Sequence, residues 1–107
     1  MNAACTPALD HAAAGVLRLP TELTIYAVGE LHPAWLAWAE AGGCEVDGAA
    51  VDQIDAAGLQ MLLALGRSLQ ARGQPMRLTA TSRVLDEGCA ALGLAGWLAD
   101  HREGAPA

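Results

Sequence analysis

The sequence predicts a single domain of the α/β class, on three observations. The chain of 107 residues is 53% hydrophobic and 17% charged, a composition typical of a globular domain with one core. Short runs rich in apolar and β-branched residues alternate with longer segments whose apolar residues recur at helical spacing. Gly and Pro punctuate these segments, as at Gly42-Gly43 and at Gly73 and Pro75. Such alternation favours helices packed on a sheet that is at least partly parallel.

The predicted order of elements is β-β-α-β-α-β-α, which gives a small mixed four-stranded sheet with three helices. The first two strands are close enough in sequence to pair as neighbours. Pro33 is expected in the first turn of the first helix, where a missing N–H is tolerated. The predicted strands are 15–20, 22–29, 44–47 and 76–80, the predicted helices are 30–43, 56–71 and 81–100, and the domain spans 15–100 between flexible tails at 1–14 and 101–107.

Composition excludes several classes of function. The net charge is −6, no Lys is present and the six Arg residues are scattered, so nucleic acid and anionic membrane surfaces would repel this chain. No apolar run is long enough to cross a membrane, and the N-terminus lacks the basic and apolar regions of a signal peptide. Cys5, Cys44 and Cys89 are widely spaced and are expected to be reduced thiols. We therefore expect a cytoplasmic protein without membrane insertion.

No pattern of residues indicates catalysis, a metal site or a cofactor. His11, His32 and His101 do not pair with a nucleophile or a cysteine at a spacing that would suggest an active site or a metal site. No glycine-rich phosphate loop occurs. Trp35 and Trp38 share one helix face with apolar neighbours and are expected in the core rather than in a ligand platform. The sequence predicts a non-enzymatic protein.

The stretch "VDQIDAAGLQMLLALG", residues 51–66, is the most informative in the chain. Asp55 precedes an apolar run, and its carboxylate can cap the helix that begins there. A helical wheel places the core face of that helix on one arc. The residues of this arc are Gly58, Leu59, Leu62, Leu65, Gly66 and Leu69.

The opposite face of this helix is small and apolar in its N-terminal half. It carries Ala56, Ala57, Gln60, Ala64 and Arg67, with Leu63 inside the outward arc and Met61 at its edge. Small side chains let another backbone approach closely, and an exposed Leu–Met pair indicates a docking patch. The alternative is an Ala-rich helix with no partner, because Ala has the best helix propensity.

The segment "VDQIDAAGLQMLLAL" resembles the signature of the STAS domain, in which a strand leads through Asp-(Ser/Thr)-(Ser/Ala/Gly)-Gly-Leu into a helix. "LTIYAVGEL" upstream and "RLTATSRVLDEGCAALGLAGWL" downstream extend the resemblance to about residues 15–100. It implies the STAS-like fold of anti-sigma-factor antagonists, a small mixed sheet with helices packed on it. It also implies docking of a kinase-type anti-sigma factor, or another signalling partner, around the start of the helix after Asp55.

The resemblance also implies a switch that this chain lacks. In the family, the Ser or Thr after the Asp is phosphorylated by the partner, and the added charge abolishes binding. Here that position is Ala56, so the phosphoacceptor position is vacant, and Ala57 offers no substitute. Hydroxyls are expected nearby only on Thr79, Thr81 and Ser82, the last more as a helix cap than as an acceptor.

Several roles remain open after this comparison. Stand-alone STAS domains also accompany chemosensory systems and a lipid-transport ATPase complex, and some have been proposed to bind nucleotides. A homodimer through the same face is a further alternative. The predicted partner-binding residues are Gln53, Asp55, Ala56, Ala57, Gln60, Met61, Leu63, Ala64 and Arg67.

Overall fold

The computed structural model describes residues 14–102. Five strands and four helices follow one another in this part of the chain. In chain order they are β1 (Leu17–Arg18), β2 (Glu22–Leu23), α1 (Ile25–Glu40), β3 (Glu45–Gly48), β4 (Gln53–Ile54), α2 (Ala56–Ala71), β5 (Arg77–Thr81), α3 (Arg83–Ala91) and α4 (Ala95–His101).

The strands form two parallel sheets. One has three strands in the order β1-β3-β5, and the other consists of β2 and β4. All of these pairs are parallel. The α/β class is confirmed, whereas the predicted mixed sheet of four strands is wrong in both the number and the direction of its strands.

β1 and β2 run one after the other along β3 and β4 instead of pairing with each other. Pro20 lies between them and has no N–H to give to a ladder. The carbonyl of Thr21 accepts hydrogen bonds of 2.9 and 3.0 Å from the N–H groups of Asp52 and Gln53, at the start of the β2–β4 pair. The predicted pairing of the first two strands is wrong because no turn reverses the chain between them.

Helix α1 begins well before the predicted boundary. The chain is extended only over Glu22–Leu23 and is helical from Ile25, so the strand predicted at 22–29 is largely wrong. Thr24 caps the helix, since its side-chain oxygen accepts a hydrogen bond from the N–H of Tyr26. Pro33 consequently lies inside the helix rather than in its first turn. Pro33 is exposed, so its effect on the hydrogen-bond ladder falls on the solvent side.

Helix α2 packs on the core with the face that the sequence predicts. Its buried residues are Gly58, Leu59, Leu62, Leu65, Gly66 and Leu69, which confirms the helical wheel. Gly58 sits directly on β2, where a Cβ atom would lie 1.9 Å from the carbonyl oxygen of Leu23. The start of α2 is thereby held against the β2–β4 ladder more closely than any other residue type would allow.

The C-terminal helix predicted at 81–100 is two helices. Gly93 takes a positive φ of 75° and separates α3 from α4, a conformation that glycine adopts without strain. Ser82 caps α3 through the N–H of Leu85, as predicted. α4 extends to His101, and Arg102 forms a parallel bridge with Leu78, so the predicted boundary at residue 100 falls inside an ordered element. The division into one domain and two tails otherwise stays a prediction, since residues 1–13 and 103–107 lie outside the described part.

One apolar core joins the sheets to all four helices. Trp35 and Trp38 are 3% and 8% exposed and belong to this core, as predicted. Cys89 is a free buried thiol, but Cys44 is disulfide-bonded. The prediction of three reduced thiols is therefore wrong, because spacing along the chain does not show which sulfurs meet in space. Cys5 lies outside the described residues.

Candidate functional site

Asp55 joins the N-termini of two helices. It follows β4 directly and caps α2, with Oδ1 accepting a hydrogen bond of 2.9 Å from the N–H of Gly58. Its other oxygen, Oδ2, accepts a hydrogen bond of 3.0 Å from the N–H of Ile25, the first residue of α1. Because β2 and β4 are parallel neighbours, the helices that follow them begin side by side. We call the residues at this junction, Thr24–Tyr26 and Asp55–Ala57, the Asp55 corner.

The Asp55 corner keeps its carboxylate ionised. The hydrogen bond from Ile25 lowers the pKa of Asp55 most, and the bond from Gly58 acts in the same direction. Partial burial opposes this shift without reversing it. The positive end of the α2 dipole also favours the anion. Near neutral pH the Asp55 carboxylate is therefore negative, and both of its oxygens already accept hydrogen bonds from the protein.

A second side chain fixes the start of α1. The hydroxyl of Thr24 donates a hydrogen bond of 2.6 Å to the carboxylate of Glu22 and accepts one of 3.3 Å from the N–H of Tyr26. Thr24 thus carries a hydroxyl one residue before Ile25, whose N–H binds Asp55, the residue that precedes the vacant phosphoacceptor position. The three hydroxyls expected there are engaged elsewhere, those of Thr79 with the carbonyl of Val46, of Thr81 with Arg102 and of Ser82 with α3.

The predicted partner-binding residues lie on one continuous stretch, from β4 through most of α2. Their side chains differ in exposure. Gln53, Ala56, Gln60, Ala64 and Arg67 are exposed, whereas Asp55, Ala57, Met61 and Leu63 are half-buried. The outward face of α2 is therefore accessible and mostly small, but its two larger apolar residues are not an exposed pair as predicted, since Met61 packs against the core.

The two most exposed large apolar side chains in residues 14–102 lie instead at the start of α1, where the sequence does not predict them. Ile25 and Tyr26 are 61% and 87% exposed and stand beside Asp55 at the corner. The β-branched and aromatic residues here predict a strand, but Thr24 has the character of a helix cap, and Val28, Leu31 and Trp35 follow at helical spacing. An aliphatic and an aromatic side chain of such exposure, side by side, are typical of a contact surface.

A groove separates the outward faces of α1 and α2. It has a volume of about 240 Å³, and its floor is formed by buried core residues of both helices. The groove begins beyond the Asp55 corner and follows the two helices, which run side by side from that corner. The residues that line it are His32, Trp35, Leu36, Ala39, Met61, Ala64, Leu65 and Ser68.

The charge around the corner is acidic. Asp52 is exposed, and Glu22 and Asp55 are half-buried. Arg67 is exposed farther along α2, three residues beyond Ala64. The corner thus combines exposed apolar side chains with acidic ones, while the farther part of α2 carries one Arg.

In residues 14–102, no helix has the length and apolar character needed to cross a bilayer. Over the same residues, no cluster of three His, Cys, Asp or Glu side chains could hold a metal ion.

Comparison with known proteins gives one match. A family model described as "Mlab, STAS domain" matches residues 8–100, a range that contains the Asp55 corner and the α1–α2 groove. No significant match was found among curated proteins or among solved structures.

Proposed function

Because this chain belongs to the STAS domain family, we propose that it is a non-enzymatic regulatory module that docks a protein partner at the Asp55 corner. The family includes anti-sigma factor antagonists and other regulatory modules that act through protein–protein contacts. The partner contacts residues between Gln53 in β4 and Arg67 in α2, mainly the N-terminal half of α2, together with the start of α1. It is a kinase-type anti-sigma factor or another cytoplasmic signalling protein.

The exposure of Ile25, Tyr26 and Ala56 around one fixed point supports this proposal most directly. Tyr26 is 87% exposed, although burying an aromatic side chain is strongly favourable. The double cap by Asp55 holds these residues in place before any partner arrives, which lowers the ordering cost of association. A rigid base with small and apolar side chains on top is suited to docking another protein.

A phosphate at the start of α2, at position 56 or 57, cannot control docking at this corner. The residue after Asp55 is Ala56, which has no hydroxyl, and Ala57 follows it. A partner would therefore stay bound unless another event releases it. Constitutive docking favours a second candidate function, that of an accessory subunit in a lasting complex such as a chemosensory assembly or a lipid-transport ATPase.

Nucleotide sensing has less support at this corner. A helix N-terminus attracts phosphate through unpaired N–H groups. At α2 the N–H of Gly58 is already bound to Asp55, and at α1 the N–H of Ile25 is bound to the same carboxylate. Asp52 adds another negative charge beside the junction. A phosphate group would have to displace Asp55 and approach against these charges.

Substitution of Ala56 by Glu tests the docking proposal. Ala56 is exposed at the first position of α2, where a negative side chain is favourable for the helix but would enter the partner's contact surface. We expect the variant to keep the thermal stability of the wild type and to retain at least about tenfold less partner, a loss of about 1.4 kcal/mol. The measurement is co-purification of the partner with the tagged full chain from its native cell, quantified by mass spectrometry.

Ala99→Glu is the matched control, because Ala99 is exposed on α4, a helix that contributes no residue to the Asp55 corner or the groove. It introduces the same charge and should leave the partner bound. If Ala56→Glu and Ala99→Glu retained the same set of proteins in the same amounts, docking at the Asp55 corner would be refuted.

A further inference from the structure

We propose that the α1–α2 groove binds an amphipathic helix of the partner whose basic end points toward the Asp55 corner. This inference rests on the docking function proposed above and adds the chemical character of the occupant. It concerns side chains beyond the corner itself, on the middle turns of both helices.

The shape of the groove fits a row of apolar side chains. Trp35, Ala39 and Leu65 form its floor and are 3%, 2% and 7% exposed. Leu36 and Ala64 form the rims and are exposed. The volume of about 240 Å³ lies below the roughly 300–1,000 Å³ of most small-molecule sites. A few side chains of a polypeptide would fill this space better than a small ligand would.

The direction of the two helices determines the form of this polypeptide. α1 and α2 begin together at Asp55, and the groove is lined by successive turns of each. A channel between two such helices accepts the ridge of a third helix, which is the helix-in-groove mode of recognition. Ala64 has no side chain beyond Cβ on the α2 rim, so a helix can approach closely there.

The charges around the groove determine which end of the partner helix points toward the Asp55 corner. Asp55 is ionised at the corner end of the groove, and Asp52 is exposed three residues before it in the chain. Toward the other end, Arg67 on α2 and Glu40 on α1 are both exposed, so the excess of negative charge lies at the corner end. The whole chain carries a net charge of −6, so a basic segment is also attracted from a distance. A helix with Lys or Arg in its last turn fits best, because its own dipole then opposes those of α1 and α2.

A second copy of this chain fits the groove less well. It would approach with the same excess of negative charge and be repelled, whereas a basic partner helix is attracted by the net charge of −6. A dimer of the free chain would be the sign of self-association.

The test is calorimetric titration of the full-length chain with two designed peptides. Each is about 18 residues long, enough to be substantially helical alone, with Leu at every third or fourth position. One peptide carries Lys in its last turn, and the other carries Glu at the same positions. We expect the Lys peptide to bind and the Glu peptide to bind at least about tenfold more weakly, since like charges would then meet at the corner.

Two variants of the chain show where the Lys peptide binds. Ala64→Gln places a polar side chain on the groove rim without disfavouring the helix, and it should weaken binding about tenfold. Ala99→Gln makes the same change on α4 and should bind as the wild type does. Equal binding of both peptides, or no effect of Ala64→Gln, would overturn the proposal. So would a dimer of the free chain in sedimentation that Ala64→Gln dissociates, because a second copy would then be the occupant.

The two proposals can fail separately. If Ala56→Glu releases the native partner while the Lys peptide does not bind, docking at the corner stands and the helix-in-groove inference is wrong. If the Lys peptide binds in the groove while Ala56→Glu leaves the native partner in place, the groove stands as a binding site and docking at the corner is wrong.

Discussion

The two carboxylate oxygens of Asp55 accept hydrogen bonds from two helices that are 30 residues apart in sequence. One bond is the ordinary cap that a sequence pattern predicts. The other ties the start of α1 to the same side chain. The position of Ile25 and Tyr26 beside α2 therefore depends on one residue that is not part of either helix.

Replacing Asp55 by Ala should destabilise the protein more than replacing Ser82 by Ala. Asp55 caps two helices, whereas the Ser82 side chain makes one capping bond, to Leu85. Urea denaturation followed by circular dichroism gives both midpoints. The expected order is wild type, then Ser82→Ala, then Asp55→Ala. Equal midpoints for the two variants would mean that the bond to Ile25 contributes nothing.

The contribution of Asp55 depends on pH with a definite sign. Folding lowers the pKa of this carboxyl below its ordinary value of 3.8, so the unfolded chain takes up a proton first as the pH falls. The advantage of the wild type over Asp55→Ala is therefore complete above pH 3.8 and is lost as the pH falls through the folded-state pKa. A difference that stayed constant from pH 6 to below the folded pKa would contradict the double cap.

Of the two hydrogen bonds of Asp55, the sequence predicts only the one to α2. That cap is local, since Asp55 and Gly58 are three residues apart, and an Asp directly before an apolar run is a common signal of a helix start. The bond to Ile25 is set by the parallel pairing of β2 with β4. No periodicity in a single sequence encodes which distant N–H group a carboxylate will reach.

At the scale of elements, the start of α2 is held by a glycine. A Cβ on Gly58 would lie 1.9 Å from the carbonyl oxygen of Leu23 and 2.5 Å from its carbonyl carbon, and backbone atoms cannot move aside as a flexible side chain can. Any larger residue would push α2 off the β2–β4 ladder and disturb the Asp55 corner with it.

Gly58→Ala should therefore cost about 1–3 kcal/mol or more of stability through overpacking. Gly66→Ala is the matched control on the same helix, since its Cβ would meet only Trp97 and Met76 side-chain atoms at 3.4 and 3.5 Å. That variant should be neutral or up to about 1 kcal/mol more stable, because Ala favours helix. Chemical denaturation measures both, and a harmless Gly58→Ala would show that α2 does not pack so closely on β2.

Elements were predictable where one local pattern dominated. Helix α2 has a cap, a clear apolar arc and a glycine after its end, and its predicted face matches the buried residues. The predicted start of helix α1 is too late because Ile25, Tyr26 and Val28 favour strands. In the structure, the packing of Trp35 and Trp38 on the core stabilises a helix over this segment. The strand count failed for a similar reason, since two-residue strands such as β2 and β4 are defined by their neighbours.

At the scale of the whole molecule, acidic side chains and exposed apolar side chains lie together at the Asp55 corner. The corner combines exposed Ile25 and Tyr26 with the acidic residues Asp52 and Asp55, and the groove continues from it between α1 and α2. The net charge and the small outward face of α2 can be predicted from the sequence. That the start of α1 lies beside this face cannot, because only the folded chain brings the two helices together.

Docking at the Asp55 corner can be tested by hydrogen–deuterium exchange of the tagged full chain, free and bound to the partner isolated with it. We expect slower exchange in the bound state at residues 24–28 and 55–67, with little change in α3 and α4. Slower exchange confined to β5, α3 and α4, with the Asp55 corner unchanged, would contradict it.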